Sequence, residues 1–189
     1  MIGMIDIHAH ILPGIDDGAV DMNMSLEMLD IAYNQGVRGI IATPHYYPGH
    51  RNCSYEECED AYRSLKEQII SKYTDLELYL GREIYYKDEV VDSLRNGSIH
   101  TMAGTKYVLT EFPTGCEYKL IEKAVRKLVQ AGFYPIIAHA ERYACLRKNW
   151  EQIEDLAEAG AYYQINAENF GMGLFNSDKQ FCKQMLKRD

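Results

Sequence analysis

Hydrophobic and polar residues alternate along this chain with two periods, and the period changes at regular intervals. "MIDIH" at 4–8 switches face at every residue, as a strand does. After a loop, "MSLEMLDIAYNQG" sets Leu26, Leu29, Ile31, Ala32 and Tyr33 at helical spacing before Gly36. "VRGIIATPH" is a β-rich run stopped by Pro44. The helical stretch "SYEECEDAYRSLKEQIISKY" follows, with Ser54 placed to cap it and Glu57 as the other half of a capping box. "LELYLGREI", "KYVLTEF", "YPIIAHAER" and "AYYQIN" are further strand candidates. They alternate with helical "KDEVVDSLRN", "YKLIEKAVRKLVQAG", "WEQIEDLAEAG" and "DKQFCKQMLKR". Strands separated by helices imply an α/β fold with a parallel sheet, closed as a β/α barrel or doubly wound.

The chain has 189 residues, 47% of them hydrophobic, which is enough for one domain with a substantial core. No Pro-, Gly- or Ser-rich linker marks a second, so a single domain over 1–189 is expected. The formal net charge of -8 opposes attraction to nucleic acid phosphates or to an anionic membrane surface. No stretch is apolar enough for direct membrane insertion, and Met1 to Ile7 lacks the basic flank and apolar core of a signal peptide. A cytoplasmic protein is expected. Cys53, Cys58, Cys116, Cys145 and Cys182 are scattered, with no Cys-x-x-Cys pair, and read as reduced structural thiols.

Chemistry in a parallel α/β fold gathers at the carboxyl ends of the strands. The first predicted strand ends in His8 and His10, the second in His45 and the third in Glu83. The fourth ends in Glu111, and the fifth in His139 followed by Glu141 and Arg142. These are metal-ligand residue types almost throughout, and only His50 and His100 among the histidines lie elsewhere. His8 and His10, two apart in extended chain, face the same way, so both imidazoles can reach one cation. Asp16 and Asp17 follow in a loop that Pro13-Gly14 and Gly18 allow to turn back over the strand ends. Imidazoles and carboxylates without thiolates suit manganese, iron or zinc held for catalysis rather than a structural zinc site. More ligands are available than one ion needs. A cluster of two or three ions would bridge a phosphate and generate hydroxide near neutral pH, which makes phosphate-ester hydrolysis the natural reaction class.

"DIHAHILPGIDDG", "TPH", "GREIYY", "LTEFP" and "AHAER" together resemble successive motifs of the PHP (polymerase and histidinol phosphatase) superfamily. "GREIYY" and the spacing resemble its bacterial branch of metal-dependent tyrosine-protein phosphatases of capsular and extracellular polysaccharide production. The resemblance implies a distorted, TIM-like β/α barrel and a trinuclear centre. The cofactor it implies is a divalent cluster, manganese first, with iron, zinc or magnesium as alternatives. Carried over by position, His8, His10 and Glu83 bind one metal. Glu83 bridges to a second held also by Glu111 and His139, and Asp17 with His45 binds the third. Arg142 matches the family arginine beside the substrate phosphate, so Arg142 and Asp17 are the catalytic candidates. The family's last motif, an Asp-x-His on a late strand, has no counterpart before the chain stops at "FCKQMLKRD". The expectation is a C-terminally incomplete domain without its last strand-helix segment.

Cys182 and Arg188 have the Cys-x5-Arg spacing of the thiol-dependent tyrosine phosphatases, but "CKQMLKR" is made of helix formers where that chemistry needs a phosphate-cradling loop. The paired tyrosines, such as Tyr46-Tyr47 and Tyr85-Tyr86, read as amphipathic strand and rim residues, and some near the strand ends are candidates to stack on an aromatic substrate. The reading that results is a metal-dependent protein-tyrosine phosphatase that attacks with a metal-bound hydroxide and forms no covalent phosphoenzyme. Its partner, by resemblance, is the phosphotyrosine tail of a membrane-associated tyrosine kinase of polysaccharide biosynthesis. The alternatives are a phosphatase of a small phosphomonoester such as histidinol phosphate and a non-catalytic phosphotyrosine-binding module.

Overall fold

The computed structural model describes residues 3–50, 52–170 and 177–187. The chain divides into two compact units, Met1–Leu109 and Thr110–Asp189. The first unit contains β1 (Met4–Ala9), α1 (Met22–Asn34), β2 (Val37–Ala42), β3 (His45–Tyr46), α2 (Tyr55–Ile70), β4 (Glu77–Leu80), β5 (Glu83–Tyr85) and α3 (Val90–Arg95). β6 (Tyr107–Glu111) carries the chain across the division. The second unit continues with α4 (Tyr118–Gln130), β7 (Tyr134–Ile137), α5 (Ala144–Arg147), α6 (Trp150–Glu158), β8 (Tyr162–Tyr163) and α7 (Ser177–Met185). Strand pairing is parallel, as the alternating pattern predicts: β1 with β2, β2 with β4, β3 with β5, and β7 with β8.

The helices form where their caps and periodicity place them. Asp21 accepts from the Met24 N–H at 2.9 Å to open α1, and Gly36, at φ 95°, takes the left-handed conformation that ends it. The Ser54–Glu57 capping box is present in both directions, at 3.0 and 2.7 Å. Leu29 of α1, Leu65 and Ile69 of α2, and Ile40 and Leu78 of the strands close one core beneath β1, β2 and β4. In the second unit Ile121, Val125 and Leu128 of α4 are buried, as are Ile137 of β7 and Leu156 of α6.

Two predicted strands are broken, and the breaks matter for the site. β2 stops at Ala42 and the chain resumes as β3 at His45; β4 stops at Leu80 and resumes as β5 at Glu83. His45 and Glu83 therefore open short strands of their own rather than closing the preceding ones, and they stand opposite each other in the β3–β5 register. Pro44 has no N–H to give a ladder. The two breaks face one another, with the Gly81 N–H on the Ala42 carbonyl (2.8 Å) and the Glu83 N–H on the Pro44 carbonyl (3.2 Å). A methyl at Gly81 would lie 3.0 Å from Met102 Sδ and 3.2 Å from Ile41 Cγ2, close enough that these neighbours would have to give way. Cys53 and Cys58, expected as reduced thiols, are joined in a disulfide between the loop before α2 and its first turn; Cys116, Cys145 and Cys182 are not in disulfides. Cys182 is buried in α7, as its helix-forming neighbours require, and Arg188 lies outside the described residues.

Candidate active site

In the first unit three imidazoles converge on one carboxylate oxygen. His8 Nε2, His10 Nε2 and His45 Nδ1 each lie 3.1 Å from Glu83 Oε2, while the Glu83 side chain is only 1% exposed. His8 and His10 project from the end of β1 and just beyond it, and their Nε2 atoms are 3.3 Å apart. Asp17 reaches the same group from the loop, with Oδ1 3.5 Å from His45 Nε2, and its side chain is 79% exposed. Two ligand trios result, His8–His10–Glu83 and His10–Asp17–His45. Donor atoms packed this closely around an anionic oxygen fit a divalent cation, whose preferred partners are imidazole nitrogens and carboxylate oxygens.

Asp16, not Asp17, orients this group. Its Oδ2 accepts from His10 Nδ1 at 2.7 Å and from the His45 N–H at 3.0 Å, and its Oδ1 accepts from the Gly18 N–H at 3.1 Å. A carboxylate only accepts, so His10 carries a proton on Nδ1 toward Asp16 and turns Nε2 toward Glu83, the second-sphere arrangement of a metal-binding histidine; the Nε2 proton that Glu83 accepts is the one a cation would displace. Burial alone would lower the His10 pKa, but the hydrogen bonds and charges of Asp16 and Glu83 outweigh it and raise it to about 10. Burial likewise works against the Asp16 charge, and the His10 contact with the two backbone N–H groups holds its pKa below the usual carboxylate range. The loop can close this tightly because residue 18 is glycine: a methyl there would lie 2.0 Å from the His10 carbonyl oxygen, which accepts from Ala19 N–H at 3.0 Å.

Arg82 fixes the other wall. It is buried, and it donates to the carbonyls of His45 (3.1 Å), Cys53 (2.9 Å) and Ser54 (3.4 Å) and to Cys53 Sγ (3.0 Å). Burial lowers its pKa to about 10, still protonated at neutral pH. Tyr47 lies beside this wall, its ring 4.9 Å from that of His45 and 5.4 Å from that of Tyr85.

The second unit holds Glu111 and His139 with Oε2 and Nε2 3.8 Å apart, both buried. His139 lies just past β7 in the left-handed region, at φ 36°, rather than within the strand. Gln164 holds it there: its side-chain carbonyl accepts from the His139 N–H at 2.6 Å and its backbone carbonyl from the Ala140 N–H at 2.9 Å. Glu141, a metal-ligand type by position, instead accepts from the Asn166 N–H (3.2 Å) and Asn169 Nδ2 (2.8 Å). Arg142 leaves the same turn into solvent, where a guanidinium is available to an anion.

Beyond this geometry, the model of the capsular polysaccharide synthesis family CpsB/CapC matches residues 4–189. The chain belongs to this family. Among CpsB/CapC relatives, tyrosine-protein phosphatase YwqE of Bacillus subtilis is 37% identical over 185 residues, 97% of this chain and 72% of that protein. Tyrosine-protein phosphatase CpsB of Streptococcus agalactiae serotype V is 33% identical over 187 residues, 96% of this chain and 75% of that protein. A solved structure from work on YwqE of B. subtilis and CpsB of Streptococcus pneumoniae, described as unique metal-dependent tyrosine phosphatases, superposes with a TM-score of 0.88. Its identity to this chain is 35%, over 97% of this chain and 74% of that one. The α/β fold with parallel pairing is thus the fold of the CpsB/CapC family. Among the described residues no helix is long and apolar enough to cross a membrane.

Proposed function

We propose that this chain is a metal-dependent protein-tyrosine phosphatase, with His8, His10, Asp17, His45, Glu83, Glu111 and His139 as its metal ligands and Arg142 as its phosphate-binding residue. The observation that carries this reading is the convergence of three imidazoles on Glu83 Oε2 in a chain whose relatives bear the name tyrosine-protein phosphatase. Divalent ions held there, manganese foremost, would lower the pKa of a coordinated water and neutralise charge on the phosphoryl oxygens, with no covalent phosphoenzyme. Glu83 offers a carboxylate able to bridge two cations, and Asp16 keeps His10 in the ligating tautomer. Arg142 supplies a planar fork for phosphate oxygens. Tyr47 and Tyr85 present aromatic faces beside His45, where the phenyl ring of a phosphotyrosine can pack.

The leaving group explains the preference for tyrosine. Phenolate departs with a pKa of about 10, well below that of an alkoxide, and so needs less help from a general acid. The substrate we propose is the phosphotyrosine tail of a membrane-associated kinase of polysaccharide synthesis, met in the cytoplasm, with residues 1–189 acting as one phosphatase domain. The test compares kcat/KM for a phosphotyrosine peptide and for histidinol phosphate at equal manganese. A preference of about tenfold or more for phosphotyrosine, some 1.4 kcal/mol, is expected. Preference for histidinol phosphate would replace this reading with a small-metabolite phosphatase, and metal-saturated binding of the peptide without hydrolysis would replace it with a binding module.

A further inference from the structure

A second concave site lies wholly within the first unit and takes no part in the chemistry above. It is a cavity of about 420 Å³ between α2, β4 and the segment after α3, within the range of small-ligand sites. Its wall is aromatic and singly acidic: Tyr55, Tyr62, Tyr79 and His100 line it with Glu59. Tyr55 and His100 stack face to face, centroids 3.7 Å apart and planes 12° from parallel, making one flat side. Among the described residues no lysine or arginine lines it. Lys66 donates to the Tyr62 hydroxyl at 2.9 Å without being part of the lining.

Two features mark the wall as built for more than packing. His100 is buried; its Nε2 lies 3.0 Å from Glu59 Oε1, and its Nδ1 is shielded from solvent with no hydrogen-bond partner. Burial, with the nearby Arg82 charge, lowers the His100 pKa despite Glu59, so the ring is neutral at pH 7. The Nε2 proton then serves Glu59, and Nδ1 is an acceptor lacking a donor. Ala103, also in the wall, sits at φ 53°, a left-handed conformation that an alanine holds only where its surroundings impose it.

The same unit shows what an aromatic ring and a carboxylate together hold. The Arg38 guanidinium lies 3.8 Å over the centroid of Tyr33 while its Nε donates to Asp75 at 3.0 Å. We propose that the cavity of Tyr55, Glu59, Tyr79 and His100 is a binding site for a guanidinium group supplied from outside this chain. A guanidinium is flat enough to lie along stacked rings, weakly hydrated enough to enter an aromatic pocket, and carries donors for Glu59, the acid of the wall. This inference is independent of the phosphatase reading.

The test titrates N-acetyl-arginine amide into the full chain, followed by NMR of the histidine and tyrosine resonances and by calorimetry. N-acetyl-citrulline amide serves as the neutral isostere. Saturable binding that moves the His100 signals is expected, with citrulline weaker by about tenfold or more because the charge-assisted contact to Glu59 is gone. Glu59→Gln and, independently, the exposed-ring variant Tyr79→Ala should each weaken arginine binding at least severalfold with phosphotyrosine hydrolysis unchanged. A short peptide with one central arginine distinguishes the source: tighter binding than the amide assigns the site to an arginine of a partner protein, and equal binding assigns it to a free guanidinium compound. Absence of saturable binding, equal affinity for citrulline, or full affinity in both variants overturns the proposal.

Discussion

Replacing Glu83 by glutamine is expected to abolish metal-dependent turnover, to below about one hundredth of the parent rate, while the far-ultraviolet circular dichroism stays near native. Glu83 Oε2 is the common neighbour of His8, His10 and His45 at 3.1 Å, so the change removes the one negative charge that these nitrogens share. Substituting groups that merely orient ligands costs about 10–100-fold in metal affinity or activity, so losing the shared ligand should exceed that range. Asp16→Asn is the built-in comparison. It leaves every candidate ligand in place and, with the amide nitrogen at the Oδ2 position, removes the acceptor that holds His10 Nδ1 at 2.7 Å and the His45 N–H at 3.0 Å, so its loss should fall inside the range. Metal content after dialysis, measured beside phosphate release, checks both. Equal losses in the two variants would mean that Glu83 orients rather than ligates.

Gly18→Ala is expected to have the largest effect on the architecture of the site. A methyl at residue 18 would lie 2.0 Å from the carbonyl oxygen of His10 and 2.4 Å from its Cβ, and backbone cannot step aside as the tip of a flexible side chain can. Relief requires the loop to lift, which breaks the Ala19 N–H bond to that carbonyl and the Gly18 N–H bond to Asp16. Overpacking costs about 1–3 kcal/mol and occasionally more, and here it falls on the segment that carries Asp16 and Asp17. Denaturant unfolding of the metal-free chain should show the lost stability, and metal titration should show weakened binding. Unchanged stability and affinity would mean that the loop does not close over His10 as described.

Much of this was legible in the residues themselves. Helical periodicity located α1, α2, α4 and α6, sharpened by the Ser54–Glu57 box at the start of α2 and by Gly36 past the end of α1, while the Asp21 and Asn149 caps show only in the fold. His8 and His10 were readable as a pair of neighbouring imidazoles because strand geometry alone puts them on one side. The strand breaks at Thr43–Pro44 and Gly81–Arg82 were not readable, since β3 and β5 are two and three residues long and too short to show a period. Pro44 was the one visible hint. The supporting residues were hidden for a different reason. Asp16 and Asp17 are adjacent acids in one turn, and only the folded loop shows that the first holds His10 and the His45 N–H while the second faces His45 Nε2. Arg82 and Gln164 act through backbone carbonyls and N–H groups far along the chain, contacts that no local pattern announces.

The central claim is that this chain hydrolyses phosphotyrosine by way of ions held on these ligands. The most direct measurement is phosphate release from a phosphotyrosine peptide by residues 1–189, first after exhaustive chelation and then as manganese is returned. The account predicts no release from the chelated chain, with recovery that saturates as manganese binds. Release that persists after chelation with no bound metal, or a manganese-saturated chain that still releases no phosphate, would contradict it.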